Sequence, residues 1–179
     1  MKKITLLLLV FCFSFSSCEK DDICDAKTPT TPRLVIEFSD INNPNVKKSV
    51  TNLKVIGEGM TDGIIFNPNA TGDSKYLFNG NKISLPLKTN ATTTTFNFIL
   101  NSGNSNPIFI NTDVLKFNYT TNEVYVSRAC GFKTLFVMDI QKPFEHTDGT
   151  VIDQKWMKVV SLQKTNINDE KETHLAIYF

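Results

Sequence analysis

From Arg33 onward, apolar residues recur at every second position, and this alternation decides the fold class. Leu34, Ile36 and Phe38 share one face of an extended segment, while Glu37 and Ser39 share the other. That is the pattern of a half-buried strand. Residues 50–57 repeat it with Leu53 and Val55, and Gly57-Glu58-Gly59 and Asp62-Gly63 break it. Residues 92–100 set Thr94, Phe96, Phe98 and Leu100 against Thr95, Asn97 and Ile99. Residues 114–119 align Leu115, Phe117 and Tyr119, after which 120–122 read as a turn into a further strand at 123–129. Ile64-Ile65-Phe66 and Ile108-Phe109-Ile110 read as very short strands.

Two segments carry stronger signals. Tyr76-Leu77-Phe78, Asn79-Gly80, then Ile83, Leu85 and Leu87 predict a hairpin, because Asn-Gly supplies the positive φ angles of a type I′ turn. Pro86 lacks an N–H donor and places that strand at a sheet edge. Residues 132–140 are apolar on both faces, Phe136 and Met138 on one, Leu135 and Val137 on the other. Such a strand is expected at the centre of a sheet. Residues 141–153 read as a long loop, 156–165 as a strand, 166–171 as a polar turn and 172–179 as the last strand.

The count is about ten short strands with turns every eight to twelve residues, and no stretch keeps a helical period for three turns. The expected fold is therefore all-β: an antiparallel β-sandwich, immunoglobulin-like or jelly-roll-like, formed by residues 33–179 as one domain. The alternation of Leu175, Ile177 and Phe179 at the C-terminus also resembles the closing strand of an outer-membrane barrel. Runs as short as 64–66 and 108–110 argue against that reading, since a spanning strand needs about 9–11 residues.

Residues 1–32 have a different character. Lys2 and Lys3 precede an apolar run from Ile4 to Phe15. About a dozen residues is the length of a signal-peptide core and too short for a bilayer of ~30 Å. Two cleavages are open. Ser14-Phe15-Ser16 fits ordinary secretory processing, while Ser16-Ser17-Cys18 resembles a bacterial lipobox, although lipoboxes usually carry an aliphatic residue where Phe15 stands. The lipobox is the favoured reading, with 1–17 as signal peptide, lipid on Cys18 and 18–32 as a tether. Glu19, Lys20, Asp21 and Asp22 resemble the surface-export signal that follows the lipidated cysteine in Bacteroidota lipoproteins. Thr28-Pro29-Thr30-Thr31-Pro32 suits an extended tether and excludes a helix.

This processing allots the four cysteines. Cys12 leaves with the signal and Cys18 takes lipid, so Cys24 and Cys130 remain as a pair in an oxidising compartment. A disulfide between them would close a loop of about 106 residues, for which the chain-entropy model assigns ~4–5 kcal/mol, usually an overestimate. The alternatives are a reactive Cys130 thiol, activated by Arg128 and Lys133, or a metal held by the two sulfurs.

Charge narrows the partners. Without Lys2 and Lys3 the chain has 17 basic and 18 acidic residues. It offers neither the basic footprint of a nucleic-acid binder nor a polybasic membrane patch. No catalytic motif and no cofactor site is present: the sequence has no His-Glu-x-x-His, no Gly-x-Ser-x-Gly and no P-loop. A distant carboxylate pair of the glycosidase type has no sequence signature. Of the two histidines, His174 reads as a solvent-facing strand residue. Glu145, His146 and Asp148 offer two carboxylates and an imidazole to a cation, but a solvated loop has the same composition and is the preferred reading. Trp156, Tyr76, Tyr119, Tyr125 and Tyr178 are candidates for a sugar-stacking platform, against the preferred reading of one buried Trp with tyrosines at the rim.

Cys18-Glu19-Lys20-Asp21-Asp22-Ile23-Cys24, residues 28–34 (Thr-Pro-Thr-Thr-Pro-Arg-Leu) and residues 126–133 (Val-Ser-Arg-Ala-Cys-Gly-Phe-Lys) together resemble a family of small Bacteroidota lipoproteins of unknown function. The resemblance implies export and lipidation and brings no activity. The expectation is a non-enzymatic outer-membrane lipoprotein on the cell-surface side, joined to the membrane by its lipid and to an unidentified envelope protein or glycan. The alternative is a glycan- or solute-binding accessory of an uptake system, and a hydrolase would need a pocket of convergent acids or His146.

Overall fold

The computed structural model describes residues 23–28, 30–151 and 154–179. Among the described residues, eleven strands run in the order β1 (Leu34–Ser39), β2 (Val50–Gly57), β3 (Leu77–Gly80), β4 (Lys82–Leu85), β5 (Thr93–Leu100), β6 (Asn111–Ser127), β7 (Gly131–Met138), β8 (Phe144–Asp148), β9 (Val159–Leu162), β10 (Asn166–Ile167) and β11 (Leu175–Tyr178). They form two sheets. One has the order β4-β1-β11-β9; the other has the order β10-β7-β6-β5-β2-β3, with β8 also paired to β6. All pairings are antiparallel except β1 with β11. The expected all-β sandwich is the fold found.

The alternating residues make the core. Leu34, Ile36 and Phe38 of β1, with Leu175 and Ile177 of β11, belong to the same buried cluster as Phe98 of β5, Leu115 and Phe117 of β6 and Phe136 of β7. Each such burial contributes about 1.5–3 kcal/mol relative to exposure. β1 is more than half-buried, because Val35 and Ser39 on its second face are also shut off from solvent. Glu37 between them is kept charged-paired by Lys47 and by Lys82 at 3.3 Å, and accepts a bond from Thr173 Oγ1 at 3.1 Å. β11 lies between β1 and β9 with Leu175, Ala176 and Ile177 all buried, so it is an internal sandwich strand and not a lipid-facing one.

Several sequence expectations fail. β3 and β4 are not a hairpin: β3 pairs with β2 and β4 with β1, so the chain crosses between sheets at Asn81. Asn79 is instead engaged by β2, where its side-chain oxygen accepts from Asn52 N–H at 2.9 Å and its amide donates to Asn52 Oδ1 at 3.3 Å. Asn52 sits at a bulge with φ +45°, a conformation asparagine tolerates better than most residues. The edge position inferred from Pro86 is correct, since β4 borders the smaller sheet.

Residues 120–122 do not turn, and β6 runs straight through them for 17 residues. β7 is not covered on both faces: Phe132 is 67% and Val137 38% exposed. The expected loop at 141–153 contains β8, which pairs with β6 from Asp113 to Phe117. Residues 64–66 and 108–110 form no strand, and Ile108 and Phe109 are exposed. The strand expected at 156–165 shortens to β9, and the polar turn at 166–171 hides β10, whose Ile167 is fully buried.

The β8 pairing has a tight end. Gly149 N–H donates to Thr112 O at 2.7 Å, and a Cβ at Gly149 would lie 2.7 Å from that same backbone oxygen. A backbone atom in a paired strand cannot step aside as a side chain can. Gly149→Ala is therefore expected to lower the unfolding free energy by about 1–3 kcal/mol. A urea midpoint unchanged from wild type would rule out this close approach.

Candidate functional site

The feature that sets this sandwich apart is the outer half of β6. Up to Asn118 it is flanked by β5 on one side and by β8 on the other, and Tyr119 N–H reaches Thr92 O. From Thr120 to Ser127 its strand partner among the described residues is β7 alone. β7 in turn meets β10 only at Phe136 and Val137. The β6–β7 hairpin thus projects as an arm, and a two-stranded ribbon in water is marginal by itself.

The N-terminal segment supports the arm. Thr134 N–H, at the free edge of β7, donates to Thr31 Oγ1 at 3.0 Å. At the tip, Cys24 and Cys130 are joined by a disulfide with 4.9 Å between Cα atoms. This is the pairing expected from cysteine usage, and it removes the reactive-thiol and sulfur-metal readings of Cys130. The turn closes with Cys130 N–H on Ser127 Oγ at 3.1 Å and with Gly131 at φ +69°, where a side chain would strain the backbone. A groove between segment and arm is lined by Thr28, Thr30, Thr31, Val126, Phe132 and Lys133. Cys18 and Glu19, Lys20, Asp21 and Asp22 lie outside the described residues.

The other candidates are taken up by the fold. Glu145 and His146 point to opposite faces of β8, as strand alternation requires. Glu145 pairs with Lys142 at 3.1 Å and Lys116 at 3.3 Å, whose hydrogen bonds hold its carboxyl below the usual range, Lys142 contributing most. His146 Nε2 is hydrogen-bonded at 2.8 Å to Asp113 Oδ2, a carboxylate with no exposed surface. Asp113 also accepts Trp156 N–H at 3.2 Å and Met157 N–H at 3.0 Å. It fastens the crossing chain between the two sheets, and Trp156 Nε1–H finds Phe98 O at 3.2 Å. Asp113 was not singled out by sequence reasoning. The signal was available: it is the one acid in the inward register Asp113, Leu115, Phe117, Tyr119.

Trp156, Tyr76 and Tyr119 are buried. The Tyr119 hydroxyl donates to Lys88 O at 2.8 Å and lies 2.6 Å from Thr94 Oγ1. Tyr125 is 59% exposed. The five aromatics therefore do not share one exposed face. His174 is a correction: it is buried, not solvent-facing. Its ring Nδ1 accepts Val35 N–H at 3.0 Å, and its backbone N–H donates to Val35 O at 3.0 Å. Burial lowers its pKa from the ordinary 6.5, with Asp169, Glu172 and Glu170 pulling weakly the other way.

Two outcomes are expected. Reduction of the disulfide, or Cys130→Ala, lowers stability by about 2–4 kcal/mol and speeds amide exchange selectively in the outer arm while Phe96 to Phe98 stay protected; a uniform change would contradict arm support. For His174, the unfolded chain binds a proton near pH 6.5 and the folded chain only below that. Between those values the unfolded state holds more protons, so stability falls as pH falls through the window. The melting temperature should drop further between about pH 7.5 and about pH 5.5 in wild type than in His174→Asn, whose amide accepts from Val35 without titrating. Equal drops would exclude this role.

No curated protein and no solved structure matches the chain. Residues 52–179, from within β2 to the C-terminus, match a family of unknown function (DUF6452). That stretch covers most of the sandwich, including β6, β7, Cys130 and Asp113, and the protein belongs to this family of unknown function.

Proposed function

We propose that this chain is an outer-membrane lipoprotein of the Bacteroidota type, held on the cell-surface side by lipid on Cys18, whose sandwich is a non-enzymatic interaction or structural module. The observation that carries the reading is the junction Ser16-Ser17-Cys18-Glu19-Lys20-Asp21-Asp22 behind a basic and apolar leader. Lipid on a sulfur gives firm attachment once more than one chain is buried, at ~0.8 kcal/mol per CH₂.

Two structural observations support it. The Cys24–Cys130 disulfide suits an oxidising compartment outside the cytoplasm. Both histidines are committed to the fold, His146 to Asp113 and His174 to Val35, and Trp156 is packed in the core. A module whose histidines and tryptophan are held by the fold and whose arm is clamped suits contact with another macromolecule better than chemistry on a small substrate.

Labelled palmitate is expected to enter the wild-type protein in its native envelope and not Cys18→Ala, and the variant should leave the membrane fraction. Protease added to intact cells should remove the wild type, and substitution of Lys20, Asp21 and Asp22 by alanine should protect it. A native protein beginning at Ser17 and free of membranes would overturn the reading.

A further inference from the structure

The core-facing side of the β6–β7 arm does not end where the sandwich ends. On β7 it runs Met138, Phe136, Thr134, Phe132, of which the first three are buried and Phe132 is 67% exposed. Directly opposite Phe132 on β6 is Tyr125, 59% exposed. Their rings meet edge to face at 5.4 Å. An apolar cross-strand pair is thus carried beyond the body that would cover it. Ile23, 81% exposed, is next to Cys24, which the disulfide holds against Cys130 at the same tip.

We propose that this tip rests on a lipid bilayer surface, with Tyr125, Phe132 and Ile23 in the headgroup region. The proposal rests on the lipid-anchor reading, and three observations select this occupant. The first is reach: between Cys18 and Cys24 the chain spans at most about 20 Å, so the disulfide keeps the tip that close to the acylated sulfur. The second is chemistry, since an amphipathic tyrosine beside an apolar partner suits the membrane–water boundary. The third is charge. Arg128 and Lys133 sit at the turn and beside it, placed to meet anionic headgroups. Asp25 accepts Lys27 N–H at 2.8 Å, Glu123 is set back along the arm opposite Thr134, and the tether before Cys24 carries Glu19, Asp21 and Asp22 against Lys20, so the attraction is local to Arg128 and Lys133.

The test uses full-length lipidated protein in vesicles of phosphatidylethanolamine and phosphatidylglycerol with part of the acyl chains brominated. Phe132→Trp places a fluorophore at the tip, and Ile65→Trp places one in the connection leading to β3, at the other end of the larger sheet from β7. The native Trp156 is buried and gives a common background. Brominated lipid should quench the Phe132→Trp protein by about twofold and leave Ile65→Trp at background. Label on Cys18 with no quenching at 132 overturns the arm contact and leaves the anchor standing. Quenching without label overturns the anchor and keeps the contact. Equal quenching at both positions overturns the contact, because the domain would then have no fixed face toward lipid. A concentration-dependent blue shift of Phe132→Trp without vesicles overturns it in favour of a second copy of the chain. Tyr125→Ser/Phe132→Ser removes a cross-strand pair that also steadies the arm, so cleavage of the arm by protease is compared with and without vesicles for each protein: vesicles should slow cleavage of the wild type and not of the double variant, and an equal slowing of both overturns the contact.

Discussion

A strand of 17 residues needs backbone partners along its whole length, and the sandwich supplies them for only part of β6. Every N–H and C=O left without a partner must find water or another donor or acceptor. Most of the architecture outside the core answers that requirement. β8 comes back to cover β6 from Asp113 to Phe117, and β7 takes over at Tyr119. Where β7 runs short of neighbours, β10 pairs with Phe136 and Val137, Thr31 Oγ1 accepts Thr134 N–H, and the disulfide to Cys24 ties the turn that precedes it. The N-terminal segment is therefore part of the fold, not merely a leash.

The sequence was most legible where neighbours in space are also periodic in the chain. Residues 34–39, 50–57 and 93–100 announce β1, β2 and β5 by alternation, because one face of each meets the core. It was least legible where pairing partners are distant. β1 bonds to β11 with Ile36 opposite Leu175, and nothing local to either segment encodes that. The Asn79-Gly80 pair shows the conflict most clearly. Its local preference is a tight turn, yet β2 and β1 offer two separate sheet edges to the segments on either side, and ladder bonds to those edges outweigh a two-residue turn. β8 was hidden for the opposite reason: Phe144-Glu145-His146-Thr147-Asp148 is mostly polar, and distant partners make it a strand, namely the ladder to β6, the packing of Phe144 on the core and the bond of His146 to buried Asp113.

That carboxylate also explains why the candidate site residues failed to assemble. A charge with no exposed surface is tolerable only with several hydrogen bonds, and Asp113 collects three from His146, Trp156 and Met157. The imidazole and the indole that looked available for ligands are the groups that satisfy this need or are positioned by it. His174 follows the same rule on the other sheet, where Val35 N–H takes its ring nitrogen. The cysteine pairing was readable because it depends on counting and compartment. The arm was not, since its exposure depends on where the sandwich stops.

The disulfide changes what an anchor at Cys18 would do. Without it, the chain from Cys18 to the start of β1 can extend about 55 Å, and the sandwich could turn any face to the membrane. With Cys24 bonded to Cys130, the free length shortens to about 20 Å and ends on one chosen point, the tip of the arm. A short leash attached at a projecting tip would hold that tip within about 20 Å of the lipid and so would restrict orientation as well as distance. With an anchor at Cys18, the bond that stabilises a marginal ribbon would also give the molecule a near side and a far side. On such an anchor the groove lined by Thr28, Thr31 and Lys133 would lie on the near side, and the far side, where the sandwich has its full width, would be left to face other partners.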